Sequence, residues 1–365
     1  MPPWMPAPNP AHPFVGDRRL GDAEIDTIAA WVQAGCPPGD RADEPALPSF
    51  PAGWQLGPPD LVLAMPGAFR VPADGPDLLQ HFVIPIDVPE DKVVAAVEFR
   101  PGERSVVHHA VLFLDASGAA RRLDASTPEP GYARFGGPGF LPTGALGGWS
   151  PGNAPRRLPG GRGRHLKKGS DLIIQVHYHP DGRAREDRSE VGLYFLDEPT
   201  PRIIAEGNRL VGSIWTSAYA IDIPAGDAAW ATAASYTLPK AVTIVGVVPH
   251  MHLLGRSVRV RAGLPDGTTR LLIDIPRWNY TWQDEFYFRE PFALPAGTRI
   301  VTEGVFDNSA ANPVNPARPP RRVTWGDGTL DEMHFCFLLV SAERTEDLVH
   351  VVLDNLRHDI ARPRR

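Results

Sequence analysis

Short apolar stretches, alternating or continuous and separated by turn residues, recur through most of the chain. The 41 prolines and 35 glycines among its 365 residues interrupt long helices and favour short strands joined by turns. Burying the apolar faces of so many strands requires sheets packed face to face. We therefore predict an all-β fold of two antiparallel β-sandwich, jelly-roll-like domains in tandem. The predicted strands cover residues 81–88, 92–100, 105–114, 171–179, 241–248, 257–262, 269–275, 298–306 and 332–340.

The N-terminal part follows a helical period instead. In residues 22–33 the apolar side chains recur every three or four positions, at Ile25, Ile28, Ala29 and Val32. Gly35 followed by Pro37 is a stop signal, so we predict one short helix, with a cap on the first sandwich as one interpretation of it. The predicted division is a helical N-terminal segment at 1–50, sandwiches at 51–202 and 203–345, and a solvated tail at 346–365.

Composition and charge exclude several classes of protein. The hydrophobic share of 42% argues against global disorder, and a net charge of −6 gives no basic bias for nucleic acid. No stretch approaches the 18 or so uninterrupted apolar residues of a transmembrane helix, and Met1-Pro2-Pro3-Trp4 has neither the basic start nor the apolar run of a signal peptide. We expect no nucleic-acid partner, no transmembrane segment and no visible signal peptide.

Three histidine clusters and one methionine supply candidate metal ligands. Imidazole suits copper in both oxidation states, and a thioether is a soft ligand that favours Cu(I). Two sites with different redox character are predicted, one from His108, His109 and His177 and the other from His250, His252 and Met333. Zinc is an alternative metal for the all-histidine site, and an ordinary structural role is the alternative for each residue taken singly.

The period of two along a strand supports this grouping. Gln175, His177 and His179 share one side of a predicted strand, while the residues between them are apolar. His250 and His252 likewise share one side of an extended segment, which lets them chelate a single ion.

Two other positions need more than simple alternation. His108 and His109 are neighbours, which point apart on a regular strand, so a bulge or a strand end is needed to bring them together. Alternation sets Met333 opposite His334, so His334 is a poor candidate for the same metal.

The order of these motifs resembles the copper type II, ascorbate-dependent monooxygenases, the family of peptidylglycine α-hydroxylating monooxygenase and dopamine β-monooxygenase. The resemblance covers roughly residues 55 to 345 and is carried by His-His at 108, Gln-Val-His-Tyr at 175, His-x-His-x-x-Gly at 250 and Asp-Glu-Met at 331. Segments 278–283, 294–298 and 307–316 resemble bacterial members of this family.

The resemblance implies a mechanism and a division of labour. In that family the His/His/Met copper activates dioxygen for hydrogen abstraction from an aliphatic carbon, while the all-histidine copper stores and delivers a second electron. It implies that His250, His252 and Met333 form the catalytic site and that His108, His109 and His177 form the electron-transfer site. Gln175 matches a residue beside the electron-transfer copper, with an ordinary polar strand residue as the alternative. The implied cofactors are two copper ions per chain, with ascorbate or a cytochrome as electron donor.

Three departures from the family's pattern concern the substrate. Peptide-amidating members place an arginine, an asparagine and a tyrosine where this chain has Val248, Phe335 and Phe337. An anchor for a substrate carboxylate is therefore missing. We expect hydroxylation at an aliphatic or benzylic C–H of a small apolar or aromatic molecule, and poor turnover of glycine-extended peptides.

The first residues resemble the end of a c-type cytochrome domain, in which the methionine of Met-Pro-Pro-Trp binds haem. This sequence contains no Cys-x-x-Cys-His motif, so haem cannot attach covalently to this chain. We expect a truncated N-terminus and, by family resemblance, a periplasmic protein. Cys36 and Cys336 pair only if the N-terminal segment packs on the second sandwich.

Three hypotheses follow. The first is a copper monooxygenase, the second a copper-binding or electron-transfer protein without oxygenase activity, and the third a two-sandwich binding protein with structural histidines. The complete set of six ligands favours the first.

Overall fold

A computed structural model of the protein describes residues 4–49 and 53–362, so Met1 of the predicted haem-ligand motif and the arginines at 364 and 365 lie outside the described residues. The strands are β1 (Leu61–Ala64), β2 (Phe69–Val71), β3 (Leu78–Pro85), β4 (Lys92–Arg100), β5 (Val107–Asp115), β6 (Tyr132–Ala133), β7 (Gly144–Trp149), β8 (Arg164–Leu166), β9 (Asp171–Tyr178), β10 (Arg185–Asp187), β11 (Glu190–Phe195), β12 (Gly212–Ser217), β13 (Asp222–Ile223), β14 (Trp230–Thr237), β15 (Val242–Met251), β16 (Gly255–Gly263), β17 (Thr269–Ile275), β18 (Phe286–Leu294), β19 (Arg299–Phe306), β20 (Val323–Thr324) and β21 (His334–Ser341). The helices are α1 (Asp22–Gln33), α2 (Ala119–Asp124), α3 (Thr200–Glu206) and α4 (Thr345–Ile360), with a 3-10 turn at Arg41–Asp43.

The first sandwich packs a four-stranded sheet, in the order β1-β11-β4-β8, against a five-stranded sheet, in the order β6-β3-β9-β5-β7. One core joins the two sheets, because Val94 and Leu193 of the first pack with Phe82, Leu112 and Ile174 of the second. Strand β9 is buried along its whole length, which places any polar side chain on it inside the protein.

The second sandwich has the same construction from two four-stranded sheets, in the orders β12-β21-β15-β18 and β14-β19-β16-β17. Ile214 and Leu338 of one sheet share a core with Val260, Leu272 and Ile300 of the other. Every strand pair in the two sandwiches is antiparallel. The predicted all-β fold of two tandem antiparallel sandwiches with a short helical N-terminal segment is confirmed.

The strand bounds follow the predicted ones closely where the apolar pattern is uninterrupted. Strands β4 and β17 and helix α1 have the predicted bounds. The seven other predicted strands differ from their predicted bounds by one to three residues at one or both ends. The strands of the first sandwich end at Phe195 and those of the second begin at Gly212, and helix α3 lies between them.

The structure differs from the sequence-based expectation at the C-terminus. Residues placed in a solvated tail form helix α4, which buries Leu348 and Val351 against the second sandwich. Its buried stripe also contains Asn355, whose side chain bonds to both backbone groups of Trp215 in β12. A buried helix face that mixes apolar and polar residues gives a weak apolar period in the sequence. Asn355 can be buried there because its hydrogen-bonding groups are satisfied by β12.

The N-terminal segment packs on the second sandwich, and the interpretation of it as a cap on the first is wrong. Phe14 pairs with Phe288, the Val15 amide donates to Tyr287 O at 2.8 Å, and Trp4 meets the ring of Phe286 edge-on at 5.6 Å. Helix α1 follows this arm and buries none of its residues. Cys36 is exposed and Cys336 is buried, and both are free thiols.

In residues 4–49 and 53–362, no helix is both long and apolar enough to cross a membrane.

Candidate metal centre

Three imidazoles converge at one end of strands β5 and β9, which lie inside the five-stranded sheet of the first sandwich. Val107 pairs with Tyr178 and His109 pairs with His177, so His108 is an extra residue in β5 with no partner of its own. This is the bulge that two adjacent ligands require, and its prediction is confirmed. One nitrogen from each of His108, His109 and His177 lies within 4.8 Å of the other two.

The spacing of these nitrogens fits a metal ion. Nδ1 of His108 lies 3.1 Å from Nδ1 of His109. Two nitrogens bound to one ion at about 2.0–2.1 Å are roughly 3 Å apart. The ring of His177 is steeply inclined to both neighbours, at 81° to His109 and 71° to His108, so that three separate rings meet around one point.

His177 is a buried side chain with unsatisfied nitrogens. Among the described residues, neither its Nδ1 nor its Nε2 has a hydrogen bond of acceptable geometry, and the side chain is 3% exposed. Nε2 does lie 2.9 Å from Asp77 Oδ2, a short ion-pair distance at a poor hydrogen-bond angle. An unsatisfied buried polar group costs about 1–3 kcal/mol, so the arrangement is explained if a bound ion takes one of these nitrogens.

These imidazoles are neutral near pH 7, as metal ligands must be. Burial, and then the neighbouring imidazole of His177, lowers the pKa of His108 to about 4. Burial, and then the imidazole of His177, also holds the pKa of His109 well below its ordinary value. Burial also lowers the pKa of His177, against the opposing charge of Asp77.

A second pair of imidazoles lies at the end of β15 in the second sandwich. The rings of His250 and His252 are 5.1 Å apart and nearly perpendicular. Nδ1 of His252 lies 3.0 Å from the carbonyl of Asp331 and must carry the hydrogen, since a carbonyl only accepts. Nδ1 of His250 lies 2.6 Å from Gln283 Oε1 and donates to it. Both residues therefore keep Nε2 free to bind an ion.

Met333 lies just beyond the end of the ladder between β15 and β21, as His252 does. The last pair of this ladder is Met251 with His334, and continuing its register would set His252 opposite Met333. Met333 is half-buried, whereas His334 is buried on the opposite side of β21, near Phe306. The placement of His334 away from the candidate ligands is as the alternation predicted.

Glu332 fixes the chain around these residues, and sequence reasoning did not single it out. Its two carboxylate oxygens accept the amide hydrogens of His252, at 3.0 Å, and of Leu254, at 2.5 Å. Burial raises the pKa of Glu332 to about 8. Its place between Asp331 and Met333 in the Asp-Glu-Met motif was the available signal.

Asp77 and Gln283 were also missed. Asp77 directly precedes β3 and pairs with both His177 and His179, at 2.9 and 2.7 Å. Nothing in its local sequence marks it, since it reaches the histidines only through the pairing of β3 with β9. Gln283 falls in the 278–283 segment that resembles bacterial members of the copper family, which was the one signal for it.

Gln175 is directed at a different histidine. Its Nε2 lies 2.8 Å from Nε2 of His81, the residue paired with it on β3. His81 Nδ1 contacts the carbonyl of Tyr132 and so carries the ring hydrogen, which leaves Nε2 to accept from Gln175. A role for Gln175 beside the metal stays a prediction.

The three positions linked to substrate choice lie together beside His250. Val248 pairs with Phe337, and His250 pairs with Phe335, on neighbouring strands of one sheet. Phe335 and Phe337 stack at 6.1 Å, and Phe337 is 38% exposed. Phe335 and Val248 are half-buried, and Val248 also packs against a small buried cluster that includes Val245 and Leu339. Phe337 therefore gives this apolar patch beside His250 its exposed part.

The sequence matches no protein-family profile and no curated protein. Among solved structures, it is similar to the VP2 subviral particle of infectious bursal disease virus, with 9% identity, 80% of this chain and 74% of that chain covered, and a TM-score of 0.22. It is also similar to the broad bean stain virus structure, with 9% identity, 74% and 91% covered, and a TM-score of 0.27. A cupin 2 conserved barrel domain protein from Leptotrichia buccalis matches with 8% identity, 78% and 90% covered, and a TM-score of 0.13. Likenesses at this level carry no argument about what the protein does.

Proposed function

We propose that the protein is a copper-dependent monooxygenase that uses dioxygen and an external electron donor to hydroxylate an aliphatic or benzylic C–H of a small substrate. The observation that carries this proposal is the presence of two unlike groups, three convergent imidazoles on one sandwich and two neighbouring imidazoles on the other. Met333 is the next residue after the ladder that carries the second pair, which supports its inclusion there. Different ligand sets suit different redox tasks for the same metal.

Each group fits a copper ion. His108, His109 and His177 would hold one ion as three neutral imidazoles, which would satisfy one of the two buried nitrogens of His177. His250 and His252 would hold the other through Nε2, because hydrogen bonds occupy both Nδ1 atoms. Met333 would add a soft thioether at the second ion. Bound copper supplies the one-electron and dioxygen chemistry that amino-acid side chains lack.

The surrounding residues hold the second pair of imidazoles in one orientation. Gln283 and the Asp331 carbonyl set the ring orientations, and Glu332 holds the backbone of the turn that follows His252. Such outer hydrogen bonds orient metal ligands and raise their basicity. The chain therefore prepares His250 and His252 for an ion before one binds.

The substrate would lie against the aromatic surface next to His250. Phe335, Phe337 and Val248 present carbon atoms there, and Trp215 extends the surface at 6.4 Å from Phe337. A free carboxylate placed on this surface loses water without gaining a partner. The proposal therefore includes a neutral apolar or aromatic substrate, with ascorbate or a cytochrome as donor and, by family resemblance, a periplasmic location.

A second candidate function is copper binding or electron transfer without oxygenase activity. One observation favours it. Among the described His, Cys, Asp and Glu residues, one group of three has side chains close enough to hold a metal ion, and it lies on the first sandwich. A protein that binds a stable ion only there would exchange electrons and have no position for dioxygen chemistry.

Metal analysis followed by oxygen uptake separates these functions. Protein purified without added metal and then reconstituted should hold two copper ions per chain and should consume oxygen with ascorbate while forming a hydroxylated product. Chelator-treated protein and zinc-loaded protein are the controls. One copper per chain with no oxygen uptake would favour the electron-transfer function, and tight zinc without copper uptake would contradict both.

A further inference from the structure

Tyr280 connects the two candidate metal groups. It lies between β17 and β18 and is half-buried. Its ring stacks on His108 with the centroids 5.4 Å apart and the planes 26° apart. The same ring meets His252 edge-on, at 5.8 Å and 69°. One side chain thus touches an imidazole of each group.

The backbone of Tyr280 is linked to His250 as well. Gln283 Nε2 donates to the Tyr280 carbonyl at 3.1 Å, while Gln283 Oε1 accepts from His250 Nδ1. The amide of Gln283 therefore holds the tyrosine and the second imidazole pair in a fixed relation. The position of the Tyr280 ring is set by the same contact that orients His250.

Asp77 of the first sandwich is linked to the second sandwich near Tyr280. Thr329 Oγ1 of the second sandwich donates to Asp77 Oδ2 at 2.7 Å. Asp77 in turn pairs with His177 on the first sandwich. The contact between the sandwiches at Tyr280 is therefore held by this hydrogen bond as well as by the ring of Tyr280 on His108.

The two groups lie on different sandwiches, and the ring of Tyr280 contacts both. Its centroid lies 5.4 Å from that of His108 and 5.8 Å from that of His252. The ring therefore forms an aromatic bridge from one group to the other.

We propose that Tyr280 is the residue that couples the two metal groups electronically, carrying one electron from the His108 side to the His252 side. The proposal rests on the proposed function, in which ascorbate or a similar one-electron donor supplies the electron and dioxygen receives it. The tyrosine forms and breaks no bond and is neither oxidised nor reduced overall. Its aromatic contact at each end is the property that matters.

The test uses Tyr280→Leu and Tyr280→Phe in the full chain, each loaded with copper and fully reduced. Each protein is mixed with dioxygen and a neutral aromatic substrate, frozen at intervals, and its Cu(II) spins are counted by electron paramagnetic resonance. The parent and Tyr280→Phe should give two spins per chain in one phase, since phenylalanine keeps both ring contacts. Tyr280→Leu should give one spin at the parental rate and the second at least about tenfold more slowly.

Trp230→Leu is the matched control. Trp230 is a half-buried aromatic residue of the second sandwich that packs on Phe306, so its replacement has a similar cost in packing without touching a candidate ligand. It should behave as the parent does. Copper content is measured for every variant.

Three results would overturn the proposal. If Tyr280→Leu binds its full copper and both Cu(II) spins appear at the parental rate, the electron takes another route. Loss of copper from Tyr280→Leu would show that the residue holds ligands and does not couple them. A parent chain that binds fewer than two coppers would contradict the proposed function, and the role of Tyr280 with it.

Discussion

The two histidine groups differ in how much of their geometry the protein supplies. At the second group, His250 and His252 each donate a ring hydrogen to a fixed acceptor, and Glu332 holds the backbone from His252 to Leu254. At the first group, two Nδ1 atoms face each other at 3.1 Å and His177 lacks a well-aligned partner. The second group is oriented by hydrogen bonds, whereas the first is brought together by the bulge in β5. Preorganisation of ligands is therefore a property of each site and not of the fold that both share.

The largest expected effect is loss of a ligand from the first group. His108→Ala leaves two imidazoles there, and we expect copper content to fall from two ions to one per chain, with the second site intact. His165→Ala is the control, since His165 is an exposed histidine of the same sandwich bonded to Asp91. Elemental analysis of both variants checks this. Loss of both ions from His108→Ala would mean that the two sites are not independent.

Replacing the thioether tests the second group. Met333→Ile should abolish hydroxylation while the all-histidine copper stays bound, because the soft ligand that favours Cu(I) is gone. X-ray absorption of the reduced protein should lose its copper–sulfur signal. Met5→Ile, which changes another half-buried methionine, should keep that signal. A parent protein without any copper–sulfur signal would remove Met333 from the site.

A smaller effect is expected from the residue that orients His250. Gln283→Ala removes the acceptor of the His250 ring hydrogen, and we expect copper at the second group to bind about 10- to 100-fold more weakly. Gln175→Ala is the matched control, since that amide bonds to His81 and not to His250. Copper titration against a competing chelator measures both. Equal affinities in Gln283→Ala and the parent would show that the second group does not depend on this hydrogen bond.

The smallest expected effect concerns substrate choice beside the second group. A carboxylate set against Val248, Phe335 and Phe337 lacks a partner, at a cost of about 1–3 kcal/mol. Turnover of a glycine-extended peptide should therefore be poor relative to a neutral aromatic substrate. Parallel assays with copper, ascorbate and oxygen compare them. Efficient conversion of the peptide would show that another residue anchors the carboxylate.

The sequence predicts features whose cause is local. An uninterrupted apolar pattern suffices to predict β4 and β17, and the two adjacent histidines led to the expectation of a bulge or a strand end at His108, of which the structure has the bulge. Asp77 could not be predicted, because its role depends on the pairing of β3 with β9 and on a threonine from the second sandwich. Helix α4 was missed because part of its buried face is polar and is satisfied only by β12.

The bulge in β5 also has a genetic consequence. Val107 and His109 pair with consecutive residues of β9, so His108 is the one residue whose removal leaves a regular ladder. Deletion of that single codon would leave the register of the other residue pairs in this ladder unchanged while removing one candidate ligand. The convergence of three imidazoles can therefore be gained or lost in one mutational step.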